Sequence, residues 1–108
     1  MIDRQIAVRL VPLLTIGICD QLSAKILTIR EAEQLLFSPH AMRFFGSIEK
    51  KLEGLIHDGT ELDDINDLTP GCLSKAIGDL RSKAVDYLAQ AVVSEGIIHD
   101  HWFEKRID

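Results

Sequence analysis

Residues 70–94 read PGCLSKAIGDLRSKAVDYLAQAVVS. Within them Leu73, Ile77, Leu80, Ala84, Leu88 and Ala91 recur at three- and four-residue spacing. On a helix of 3.6 residues per turn those six side chains share one face, and Asp79, Lys83, Asp86 and Gln90 fall opposite. Thr69-Pro70 supplies a capping hydroxyl followed by a proline whose missing N–H costs nothing in a first turn. The pattern predicts one long helix from about Pro70 to Ser94.

Working toward the N-terminus, Thr60 to Asp67 is acidic, with Leu62 and Ile65 as its apolar points, and reads as a loop with one helical turn. Before it, Ile48, Leu52, Leu55 and Ile56 line one helical face, with Ser47 placed to cap it and Asp58-Gly59 to stop it. Ser38-Pro39 starts a short helix that ends near Gly46 and turns Met42 and Phe45 inward. Thr28 and Glu31 have the spacing of a capping box for a helix reaching about Phe37. The first segment, about Asp3 to Lys25, places Ile6, Leu10, Leu13, Leu14, Ile18 and Leu22 on an inner face that Val11 and Cys19 widen. Pro12 should bend or restart this helix, because it lacks the N–H that would bond to Val8. No segment alternates as a strand between turn signals. The expected fold is all-α: a compact helical bundle whose long N- and C-terminal helices bracket several short ones. Residues 1–95 form a single domain, and 96–108 a C-terminal segment that is packed or mobile.

The 108 residues suit one domain with an ordinary soluble composition, 46% apolar and 27% charged. Charge is unevenly placed. Between Lys51 and Lys75 lie Glu53, Asp58, Glu61, Asp63, Asp64 and Asp67, and no Lys or Arg. Taking those six from the chain's 17 acids leaves 11 against 12 bases, so the net charge of −5 resides in that stretch. Such a field attracts a basic partner and repels nucleic acid. Leu10 to Cys19 is strongly apolar but too short to span a bilayer, which takes about 20 residues, and reads as a buried helix. The acidic start and the lack of a cleavage site point to the cytoplasm. Cys19 and Cys72 read as buried free thiols rather than a disulfide.

Constellations for chemistry are sparse. His99 and His101 would diverge on a helix, and zinc requires three or four convergent ligands, so no metal is expected. The run from Asp58 to Asp64 has the acidity of a calcium loop without its spacing. There is no nucleophile elbow, and the seven glycines are scattered rather than gathered in a phosphate loop. No cofactor and no catalytic residue is expected. Ile97, Ile98, Trp102 and Phe103 read as a last packed segment, because aromatic residues dominate small cores.

The stretch from Thr28 to Pro39 (TIREAEQLLFSP), and then Ile56 to Ile65 (IHDGTELDDI), resembles a family of small bacterial helical proteins of unknown function. The resemblance runs to about Leu88. It rests on helix caps and core positions and brings no catalytic residues. In size, acidity and lack of a site the chain is also similar in general character to immunity proteins, which neutralise toxins of neighbouring bacteria. The expected function is therefore a non-enzymatic protein-binding module. Its specific form is an immunity-type inhibitor that meets a basic toxin, such as a nuclease, with Glu53, Asp58, Glu61, Asp63, Asp64 and Asp67. The alternatives are a structural or regulatory homo-oligomer built through helix faces, a homodimer being the simplest, and a small metal-dependent enzyme using His57, His99 or His101. Neither nucleic acid nor a membrane is an expected partner.

Overall fold

The computed structural model describes residues 3–95, with side chains through Ala91. These residues form α1 (Arg4–Ser23), α2 (Ile29–Leu35), α3 (Pro39–Ile48), α4 (Lys50–Thr60), α5 (Leu62–Leu68), a 3₁₀ turn (Pro70–Cys72) and α6 (Leu73–Glu95). Among the described residues there is no strand, and the all-α fold with two long helices around short ones is observed. The expectations for His99, His101, Trp102 and Phe103, and for 96–108 as a whole, lie outside the described residues.

Helices α1 and α6 lie side by side and run antiparallel: Arg4 and Val8 border Tyr87 and Ala91, while Arg81 reaches Asp20 near the other end. The stripe on α6 packs as its spacing implies, with Ile77, Leu80 and Ala84 buried. Between the long helices sits a core of Val8, Val11, Cys19, Leu52, Leu55, Ile56 and Leu62, and Phe37 closes it from the end of α2.

Local signals set most helix starts. The Thr28 hydroxyl accepts the Glu31 N–H at 3.1 Å, and Glu31 accepts the Thr28 N–H at 2.9 Å, completing the capping box. Ser38 caps α3 through the Ala41 N–H at 3.2 Å. For α4 the cap is Glu49, not Ser47. The Glu49 carboxylate accepts the Lys51 N–H at 3.0 Å and binds Arg4 of α1 at 2.8 Å, so one side chain both starts α4 and holds α1. The Ser47 hydroxyl instead donates back to the Phe44 carbonyl within α3.

Three further expectations are corrected. Residues 62–68 are a seven-residue helix rather than a loop with one helical turn, because Leu62 buries and draws the segment onto the body. Gly59 does not end α4. It is buried inside that helix, where the Phe37 ring occupies the space a side chain would need. In α1 the buried face is Ala7, Val8, Val11, Pro12, Thr15, Ile18, Cys19 and Leu22, while Ile6, Leu13 and Leu14 are exposed. Apolar residues occur almost all round this helix, so spacing alone does not choose a face. Thr15 can be buried because its hydroxyl donates to the Val11 carbonyl at 2.8 Å. Pro12 sits inside a helix that continues through it. The chain leaves α1 through Lys25, whose φ of 62° is the left-handed conformation that ends many helices.

The caps have a consequence in acid. The Thr28 backbone N–H, then its hydroxyl, hold the Glu31 carboxyl below the usual carboxylate range; the Lys51 N–H, then Arg4, do the same for Glu49. Both folded values are depressed, so the stability they contribute is present above the unfolded value of 4.5 and is lost as pH falls through the lower folded values. Urea midpoints measured from pH 7 downward are expected to fall below about pH 4.5, and less steeply in Glu49→Gln.

Candidate functional site

The acidic residues singled out by the sequence occupy α4, the bend after it, and α5. Glu53 faces Lys50 on its own helix at 3.3 Å and packs against Gly46 of α3. Asp58 accepts a hydrogen bond from Lys83 of α6, an ion pair that ties α4 to the long helix. Glu61 stands 3.9 Å from His57 one helical turn earlier, both more than half exposed. A shallow cleft between α5 and α6 joins Asp58 and Glu61 to Asp79 and Lys83, and Asp79 is bonded to Lys75 at 2.8 Å. The positive groups of α6 thus answer the negative groups at this edge.

Asp63, Asp64 and Asp67 differ. Among the described residues they have no hydrogen-bond or ion-pair partner. With Leu62 and Ile65 turned toward the body, the 100° step of the helix puts Asp64, Asp67 and Leu68 on the exposed side of α5, with the half-buried Asp63 at its edge. Leu68 is 81% exposed. Asp63 and Asp64 lie in the first turn, where the helix dipole favours a carboxylate by about 0.3–1 kcal/mol. Asp67 lies at the other end of α5, where the dipole gives it no such support. The six predicted residues therefore divide: Glu53 and Asp58 are ion-paired within the molecule, Glu61 has only the more distant His57 imidazole, and Asp63, Asp64 and Asp67 have no partner among the described residues, Asp63 being half-buried and the other two exposed. Leu68 was passed over in the sequence. Its signal was its position directly after a run of acids at the end of an apolar repeat.

The thiols differ too. Cys19 is buried as expected, and burial, with the charge of Asp20 beside it, pushes its thiol up to about 11. Cys72 is exposed, contrary to the expectation of a buried thiol, because the 3₁₀ turn holds it off the core. A thiol reagent at pH 8 is expected to label the folded protein once within minutes, at Cys72, and a second time only on unfolding; mass spectrometry of the labelled peptides checks this. Among the described residues no three His, Cys, Asp or Glu side chains gather as a metal site.

The apolar part of α1 is longer than the ten-residue run suggested. The whole helix has 20 residues and a mean hydropathy of 1.5 over its most apolar window, enough to cross a membrane by length and composition, and 44% of that window is buried in the fold.

Neither the curated proteins nor the solved structures yield a match to this chain. One family model does match, that of DUF3969, described as a protein of unknown function, and it covers residues 3–104. With nearly the whole chain matched, the protein belongs to that family of uncharacterised proteins.

Proposed function

We propose that this chain is a non-enzymatic protein-binding module whose contact surface is the outward side of α5. The observation that carries the reading is the set of three carboxylates without a partner among the described residues, Asp63, Asp64 and Asp67, beside the exposed Leu68. Elsewhere Asp20, Glu49, Glu53, Asp58 and Asp79 each have a basic neighbour, and among the described residues Glu33 of α2 and Asp86 of α6 stand without one but singly rather than as a group. Unneutralised carboxylates speed encounter with a positive surface, and an apolar side chain among them gives contact area once water leaves. The matching occupant is a basic protein surface with an apolar recess. In its specific form the module is an immunity-type inhibitor acting in the cytoplasm on a basic bacterial toxin, such as a nuclease, whose phosphate-binding cleft the carboxylates would fill.

Co-expression with basic bacterial toxin domains, beginning with any encoded beside this gene, tests the specific form. Growth is expected to be rescued from one of them, and purified toxin to be inhibited near equimolar ratio. Asp63→Asn/Asp64→Asn/Asp67→Asn should bind that toxin roughly 10–100-fold more weakly, chiefly through slower association. A triple variant that inhibits as well as the parent contradicts the α5 surface. Failure against every toxin contradicts the immunity reading.

A further inference from the structure

Helix α1 leaves an apolar face open. Seen down its axis, Ile6, Leu10, Leu13, Leu14 and Gly17 fall within about 100° of arc, opposite the buried face. No charged residue interrupts this stripe. Ile6 is 47%, Leu13 53% and Leu14 42% exposed. Where the stripe meets α2 it becomes a groove of about 350 Å³ walled by Ile18, Leu27, Leu35 and Leu36. A helix that is apolar all round is normally covered all round. Among the described residues nothing covers this side.

The stripe and its flank are self-complementary. Nothing lies within 4 Å of where a side chain at Gly17 would be, so the groove floor is open beside the protruding Leu13. One turn separates Leu13 and Gly17. Two copies of α1 crossing antiparallel about a two-fold axis can therefore set Leu13 of each over Gly17 of the other. That register has a second consequence. Arg9 and Asp20 lie on the same flank of the stripe, about 20° apart in projection. In an antiparallel pair like flanks meet, and Arg9 of one copy comes within one residue's rise, about 1.5 Å along the axis, of Asp20 of the other. Arg9 bonds only the Gln5 carbonyl at 3.2 Å and has no acidic partner among the described residues. Asp20 uses Oδ1 for Arg81, and its other oxygen is open to a second guanidinium.

We propose that the open face of α1 is the contact surface of a homodimer, with two antiparallel α1 helices crossing at Leu13 and Gly17 and Arg9 pairing with Asp20 across the axis. The surface lies on α1, is apolar, and is separate from the acidic side of α5.

Sedimentation velocity of the full chain from 1 to 200 µM tests it. A monomer–dimer equilibrium is expected, with a dissociation constant in or below that range. Leu13→Glu/Leu14→Glu should weaken association at least 100-fold with an unchanged far-ultraviolet spectrum, since both side chains stand in solvent in the single chain. Arg9→Glu should weaken it several-fold, an effect a merely greasy surface would not show. To cover loss of folding in the double variant, Gly17→Leu serves as a second probe: a leucine there fills the recess, costs the single chain nothing sterically, and should also give monomers. A wild type that stays monomeric overturns the proposal. The face would then belong to residues 96–108, shown by association once the chain is cut after Glu95, or to a bilayer, shown by co-flotation with phosphatidylcholine–phosphatidylglycerol vesicles. A dimer that survives in all three variants overturns it as well.

Discussion

Phe37→Ala is expected to destabilise the protein by about 3–5 kcal/mol, the range for emptying a buried aromatic site. Phe37 is the largest fully buried side chain among the described residues, and it is the piece by which the short helix α2 closes on the core. Its ring rests against Gly59 of α4, while Ala32 and Leu36 of the same segment are also buried. Part of the cost is the cavity left behind, into which the surrounding helices relax only partially. A small domain has roughly 5–15 kcal/mol in total, so this single change removes a large share of it. Urea unfolding checks it: the midpoint should drop sharply with little change in slope. A loss under about 1 kcal/mol would mean that the ring is not packed as described.

Gly59→Ala is the second large effect, and its sign runs against helix propensity. Replacing glycine by alanine inside a helix ordinarily gains about 0.5–1 kcal/mol. At Gly59 the added carbon would fall 2.4 Å from Cδ1 and 2.5 Å from Cγ of Phe37. Those are ring atoms of a buried side chain, not the end of a flexible one, so the ring or the helix must shift. Overpacking of this kind costs about 1–3 kcal/mol, which exceeds the propensity gain. Gly54, on the same helix, is exposed and has nothing within 4 Å of an added carbon. Gly54→Ala should therefore stabilise by about 0.5–1 kcal/mol. Opposite signs from two glycines five residues apart isolate the Phe37 contact from any general property of α4. Shrinking the ring in Phe37→Leu should absorb part of the Gly59→Ala cost, giving a non-additive pair in a double-mutant cycle.

Why these effects were partly hidden in the sequence is physical. The capping box at Thr28, the Ser38-Pro39 start and the α6 stripe were legible because each depends on residues within four positions of one another. Gly59 was not. Directly after Asp58 and ahead of an acidic run it has the look of a helix stop, and only the arrival of Phe37 from 22 residues earlier shows that its lack of a side chain serves packing. Ser47 and Glu49 both have side chains able to cap α4, and Arg4, distant in sequence, settles the choice in favour of Glu49. The face of α1 was unreadable for a different reason. With apolar residues nearly all round, several faces fit the three- and four-residue spacing, and the position of α6 decides which is buried. The acidic segment was legible as a concentration of charge but not as a surface. Lys83 takes Asp58, Lys50 takes Glu53, and what remains open is the smaller group on α5.

The fold positions that group firmly. Leu62, buried at the start of α5, anchors the helix against the core, and Asp58 with Lys83 fixes the end of α4 before it. A short helix held in this way keeps its carboxylates in one arrangement before a partner arrives, which lowers the ordering cost of binding.

Photo-crosslinking in the cells that make the protein examines the α5 surface most directly. A benzophenone amino acid at position 68 should give a light-dependent adduct with one basic protein identified by mass spectrometry. The adduct should disappear when Asp63, Asp64 and Asp67 are changed to Asn, and the same probe at Ile26, exposed outside the α5 surface, should not form it. No adduct at position 68, or one that is indifferent to those three carboxylates, would contradict the assignment of this surface.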